Sequence, residues 1–191
     1  MNSDNKPIGV VPLGEVCGLT VKSIAAHILG YFQLDALVLP PMEHPLYAYN
    51  ERRHQYDAGA IITAMESLSF PQCDKIIGVV DLDLFIPIFV HVLGEARQGG
   101  WAALVSIYRL RPSASLSQEA LNLQMERAAK VALHELGHLY DLHHCMDGLC
   151  LMHFSGGLED LDQTPLYLCR YCSLYLRDAL SIKKRREKAA E

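Results

Sequence analysis

The segment Val131-Ala-Leu-His-Glu-Leu-Gly-His-Leu-Tyr-Asp-Leu-His-His-Cys145 constrains this chain more than any other. Within apolar flanks it contains His134-Glu135-x-x-His138, a pattern associated with zinc hydrolases. On a helix, residues four apart lie about 40° apart around the axis and one turn along it. His134 and His138 therefore project from one face and can share a metal ion, with imidazole nitrogens about 2.0–2.1 Å from zinc. Glu135 sits about 100° round from His134. It can reach a zinc-bound water without ligating the ion, which is the placement of a general base for attack on a carbonyl.

Two histidines fall short of the usual three protein ligands. His144 lies ten residues after His134. On a continuous helix it would stand about 9 Å beyond His138, too far to share one ion. The helix is therefore expected to stop near residue 140 and the chain to fold back. His144 is the expected third ligand, and His143 is the rival if the turn differs. Downstream come Cys145, Cys150, Met152 and Cys169-Arg-Tyr-Cys172.

This combination, a metzincin-type core joined to CxxxxC-x-M and a distal CxxC, resembles the archaemetzincins. The likeness is clearest from 131 to 172. It extends upstream through Gln55-Tyr-Asp57, Val80-Asp-Leu-Asp-Leu-Phe85, Leu93-Gly-Glu-Ala96 and Ser106-x-x-Arg-Leu110. The resemblance implies a metzincin-like α/β (α+β) fold with a mixed twisted sheet, an active-site helix and a small C-terminal zinc-bound lobe. It implies two zinc ions, one catalytic on His134, His138 and His144, the other structural on Cys145, Cys150, Cys169 and Cys172. It also implies a methionine turn beneath the catalytic zinc, which Met152 supplies. The metzincin pattern has a glycine three residues after the second histidine, and here that position is Asp141. Asp tolerates left-handed backbone better than most residues, at a cost. Some metzincins carry a tyrosine two residues after the methionine as a switchable ligand; here it is Phe154.

The residues support the cysteine site independently. Thr164-Pro165 reads as a helix cap and first helical residue. That places Cys169 and Cys172 three apart on one helical face, able to meet Cys145 and Cys150 at a tetrahedral site with zinc–sulfur distances near 2.3 Å. A redox pair at Cys169 and Cys172 explains only two of the four. His144 and Cys145 share a peptide bond. The cysteine site is thus expected to pin the third histidine, with about 10–16 kcal/mol of apparent metal-binding energy available to folding. Cys17 and Cys73 stand apart and read as buried thiols.

At 191 residues, 50% hydrophobic and 20% charged, the chain suits one domain with a real core. The expected division is an upper sheet and helix lobe at 1–142 and a lower lobe at 143–191. A net charge of −5 argues against a nucleic-acid partner. There is no signal peptide pattern at the N-terminus, and the apolar run from Phe85 to Leu93 is too short to span a bilayer. Six cysteines are then read as metal-binding or buried thiols in a reducing cytoplasm, in a protein expected to be monomeric.

Along the chain, strands are expected at 8–13, 36–39 and 75–80, and a helix at 19–32 with Ile24, Ile28, Tyr31 and Phe32 toward a core. Residues 42–55 read as irregular, with His44 and His54 solvated. Asp57 caps a helix over 58–68. Asp81 and Asp83 are expected to order a loop. Residues 89–95 and 101–108 read as a hairpin with a glycine turn, containing His91. Its edge offers main-chain hydrogen bonds to an extended peptide. Ser117 starts a long helix with Leu121, Met125, Ala128, Ala132 and Leu133 on its buried side. Glu159, Asp160 and Asp162 read as a solvated turn, and the tail from Lys183 to Lys188 as a solvated helix end.

The expected activity is a zinc-dependent peptidase in which Glu135 activates a zinc-bound water for attack on a peptide carbonyl. The alternatives are a two-zinc scaffold protein with an impaired site, and a non-peptide zinc amidohydrolase.

Overall fold

A computed structural model of the chain describes residues 6–112 and 117–188. Two sheets and five α-helices are built from it. The larger sheet uses β1 (Ile8–Pro12), β2 (Ala36–Val38), β5 (Ile76–Val80), β8 (Gly94–Ala96) and β9 (Ala102–Ser106), in the order β2-β1-β5-β9-β8. Its first four members run parallel, and β8 pairs antiparallel with β9. β5 and β9 are buried along their whole length, which is why they read as unbroken apolar runs.

Helices cover both faces. α1 (Gly18–His27), continued by a π-helical turn over Ile28–Phe32, packs with α3 (Gln118–Leu139) on the face carrying Val10, Ile77, Val79, Ala103 and Val105. α2 (Ala58–Glu66) lies on the other, over Val11, Ile76, Val80 and Leu104. The caps form as the residue types dictate: Asp57 accepts from the Ala60 amide at 3.1 Å and Ser117 from the Ala120 amide at 3.2 Å.

The second sheet, order β3-β4-β6-β7, is one the sequence reading did not anticipate. β3 (Tyr49–Asn50) lies in the stretch read as irregular, β4 (Gln55–Asp57) begins at its last residue, and β6 (Leu84–Ile86) pairs with β7 (Phe89–Val92). The expected 89–108 hairpin is thus divided. Phe89–Val92 belongs to the second sheet, and only Gly94–Ala96 turns back onto β9. Strands this short carry too little alternation to show in sequence.

Several burial expectations are corrected. Tyr31 and Leu121 are exposed, and so is Cys17. The π-helical turn rotates Tyr31 outward, where it stacks on His27, and Leu121 lies in the first turn of α3, before that helix meets the core. Cys73 is buried as expected. Asp83 forms a two-point ion pair with Arg109 at 2.6 and 2.7 Å, and Asp81 pairs with Arg111. His44 and His54 are exposed, as is His91 on β7.

After α3 the chain runs through an irregular loop into α4 (Leu158–Gln163) and α5 (Arg170–Lys188). Leu142, Cys150, Leu151, Met152, Leu161, Cys172 and Leu176 join the core beneath α3. Two expectations fail here. Thr164 ends α4 rather than starting the next helix: the proline after it holds its backbone extended (φ −66°, ψ 129°), so α5 begins only at Arg170. The acidic turn is instead α4, and Asp162 grips Arg127 of α3 through two contacts of 2.7 and 2.6 Å. Arg127 is buried and also donates to the Leu110 carbonyl. Next to it, buried Lys130 donates to the carbonyls of Leu161 and Asp162, both at 3.1 Å. α5 extends through Lys188, and the side chains of its last turns lie outside the described residues.

The Arg127–Asp162 pair therefore ties α4 to α3. Asp162→Ala is expected to lower stability by about 2 kcal/mol, moderated because the carboxylate is 35% exposed. The Arg127 guanidinium holds the Asp162 pKa below its ordinary value. A depressed folded-state pKa gives stability that is present above the unfolded pKa and lost as pH falls through the folded one. Urea melts at neutral and acid pH check this: the gap between the two proteins must close on the acid side.

Candidate metal centres

α3 presents His134 and His138 on one face, and the chain reverses immediately after it. Tyr140 and Asp141 donate back to the carbonyls of Gly137 and His138, both at 3.0 Å. Asp141 has φ +68°, the left-handed conformation that a glycine would adopt without strain. The β8–β9 turn supports it. Gln98 Nε2 donates to Asp141 Oδ1 and to the Leu142 carbonyl, both at 3.1 Å, and the Gly99 amide donates to the His138 carbonyl at 2.9 Å. The reversal brings His144 back, with its ring centroid 5.3 Å from that of His134 and 4.9 Å from that of His138. His143 remains exposed and outside the group.

The ligand atoms of His134, His138 and His144 lie within 4.8 Å of one another. The Nδ1 atoms of the first two are taken up by backbone carbonyls: His134 by Leu151 at 2.9 Å, His138 by Leu142 at 2.7 Å. An Nδ1–H donated to a carbonyl leaves the Nε2 lone pair free, and the two Nε2 atoms stand 3.1 Å apart. Two bare lone pairs at that separation fit a shared cation. Burial pushes His134 down to about 4 and lowers His138 and His144 as well, so the neutral ligating form prevails at neutral pH.

Glu135 is buried against β8. Its carboxyl is raised well above the ordinary range, first by burial and then by Glu95 nearby. It fits only because residue 94 is glycine: a Cβ there would lie 2.6 Å from Glu135 Oε1. Glu135 and the three histidines line a cleft of about 670 Å³ between the free edge of β8, the β6–β7 hairpin and the Ser155–Gly157 loop.

Met152, fully buried, packs against α3 at Gly137. A Cβ on Gly137 would lie 2.4 Å from its sulfur, so the glycine between the two helix histidines is the seat for this methionine. The Met152 carbonyl accepts from the Cys145 amide at 2.8 Å, and the Cys145 carbonyl is 3.0 Å from His153 Nδ1. The methionine turn and the third-histidine segment are thus laced together. Phe154 packs edge-on against His144, centroids 5.3 Å apart.

Cys145, Cys150, Cys169 and Cys172 form a second group, also within 4.8 Å. Cys145 and Cys169 sulfurs are 3.8 Å apart, close to the roughly 3.8 Å edge of a tetrahedron with zinc–sulfur bonds of about 2.3 Å. The Cys169 amide donates to Cys150 Sγ at 3.3 Å. Burial raises the thiols of Cys150 and Cys172, a cost that a cation among four thiolates would reverse. Sequence reasoning assigned no role to Gln98, Gly94, Gly137 or His153. Only the two glycines left a signal, each inside a quoted motif.

Comparison with known proteins agrees with this arrangement. A sequence model of peptidase family M54 matches residues 29–178. The chain belongs to peptidase family M54. The archaemetzincin of Archaeoglobus fulgidus is 33% identical over 83% of this chain and 91% of its own length, and that of Methanocaldococcus jannaschii 31% over 90% and 93%. The crystal structure of the Methanopyrus kandleri archaemetzincin superposes with a TM-score of 0.83 at 29% identity, covering 95% of this chain and 98% of that one. That of A. fulgidus, solved with malonate, gives 0.76 at 32% identity, covering 88% and 99%. As an M54 member the chain is a zinc metallopeptidase, with the mixed α/β architecture of the archaemetzincins.

Gly137→Ala tests the methionine seat. The added methyl must displace Met152 or tilt α3, and a loss of about 1–3 kcal/mol is expected from overpacking, with a fall in bound zinc. Thermal melts and metal analysis of the variant check both.

Proposed function

We propose that His134, His138 and His144 hold the catalytic zinc of this M54 peptidase, that Cys145, Cys150, Cys169 and Cys172 hold a second, structural zinc, and that Glu135 is the general base. The observation that carries the reading is the meeting of three neutral imidazoles, their Nδ1 or ring edges fixed by neighbours, beside a buried carboxylate at the bottom of one cleft.

Zinc supplies, when bound, a Lewis acid that lowers the pKa of water toward 7 and polarises a carbonyl. Glu135 takes a proton from the water attacking the peptide carbonyl and returns it to the leaving amine. Its carboxylate occupies the space that the absent side chain of Gly94 leaves on β8. Phe154, two residues beyond Met152, has no oxygen and cannot act as an extra ligand.

In the same reading, residues 1–191 form one domain, monomeric and cytoplasmic, acting on peptides and not on nucleic acid. Among the described residues no helix is long and apolar enough to cross a membrane. None of the six cysteines is in a disulfide, which agrees with a reducing compartment.

Metal analysis of the purified chain is expected to give two zincs. Glu135→Ala is expected to keep both and to lose turnover by roughly 10²–10⁴-fold; undiminished hydrolysis in that variant excludes Glu135 as the base. Cys145→Ser tests the link between the sites. Because Cys145 is bonded to His144 and hydrogen-bonded to Met152, both zincs are expected to fall together. Full retention of the histidine-bound ion after loss of the other refutes the link.

A further inference from the structure

The edge of the larger sheet carries a carboxylate that the chemistry above does not use. β8 is bonded to β9 on one side only. The Ser106 amide donates to the Leu93 carbonyl at 2.8 Å, which sets the phase of the antiparallel ladder. Leu93 and Glu95 direct their backbone groups at β9; Gly94 and Ala96 direct theirs outward, at the cleft. An extended peptide laid along this edge therefore bonds to Gly94 and Ala96.

The side chains alternate beside it. Gly94 and Ala96 lie opposite Val105 and Ala103, whose side chains face α3. Glu95 lies opposite Leu104, which faces the α2 side. Glu95 thus projects toward the second sheet, whose Ile86, Phe89 and Val92 share the cleft wall with it. Its carboxyl is raised by burial and lowered less by Arg97. Arg97 is itself bound by Glu66 and Thr63 of α2. On the opposite wall the Lys130 ammonium is held by Glu126 and two backbone carbonyls. Among the described residues, Glu95 forms no hydrogen bond through its carboxylate.

We propose that Glu95, together with the apolar wall of Ile86, Phe89 and Val92, forms a subsite for a lysine or arginine side chain of a peptide extended along β8. The methylenes of such a side chain cover the apolar wall while its charged head reaches the carboxylate. The guest residue stands cross-strand from Glu95, where opposite charges attract and like charges repel. The inference rests on the peptidase reading, since it supplies that reading with a substrate class.

Binding and turnover are measured separately so that the two can fail separately. Zinc-loaded Glu135→Ala is titrated with peptides that differ only by Lys, Met or Glu at each position in turn. At one position Lys is expected to bind about fivefold more tightly than Met, and Glu more weakly. Adding Glu95→Gln is expected to erase the difference while leaving the Met peptide's affinity unchanged, and Glu95→Lys to favour the Glu peptide. With Glu135 intact, the Lys preference is expected in KM and not in kcat. An undiminished Lys preference in Glu95→Gln, an absence of preference at every position, or no peptide binding overturns the subsite. Binding with the expected preference but no hydrolysis by the Glu135-intact protein leaves the subsite and overturns the hydrolase assignment.

Discussion

Three imidazoles can meet at one point here only because the chain reverses within a few residues of His138. A helix alone places His134 and His138 together; it carries everything after them away from the site. The reversal costs a left-handed aspartate at 141, and the surrounding structure is arranged to hold it. Gln98 takes the Asp141 carboxylate and the Leu142 carbonyl, and that same carbonyl receives His138 Nδ1. The turn between β8 and β9 therefore stabilises the helix end and the orientation of a ligand at once.

The lower part of the molecule answers to the same requirement. Met152 sits under the helix in the gap that Gly137 leaves, and its carbonyl receives the amide that follows His144. The four cysteines begin at that same residue, so the two metal groups are neighbours along the chain as well as in space. The buried cations Arg127 and Lys130, placed on α3 one to two turns before His134, clamp α4 against the helix. The helix that carries His134 and His138 is thus held from the sheet turn, from the methionine and from α4.

What the sequence reveals and what it hides divide along physical lines. Spacing of four on a helix and clusters of histidine and cysteine are local signals, so the grouping of the three histidines and of the four cysteines, and the helix that presents the first, could be read directly. The parallel strands were also legible, because full burial writes continuous apolar runs such as Ile76–Val80. The second sheet was not, since strands of two to four residues leave no periodicity. Tyr31 and Leu121 obeyed helical spacing yet face outward, because a π-turn and a helix end each change which face meets the core. Thr164-Pro165 offered a plausible start signal, but the same proline acts on the residue before it and ends α4 instead. Gln98 and Asp162 act across 43 and 35 residues of sequence, and partners at that distance leave no local mark.

The glycine at 94 ties the sheet edge to α3 more tightly than either would suggest alone. Its missing side chain is the space in which a carboxylate of the neighbouring helix resides. The two positions are therefore one unit under variation: a larger residue on the strand evicts the Glu135 carboxylate, and a shorter acid on the helix leaves a void. Width at this point of the cleft is fixed by that coupling, and the side chains free to vary around it are those of Glu95, the β6–β7 hairpin and the Ser155–Gly157 loop.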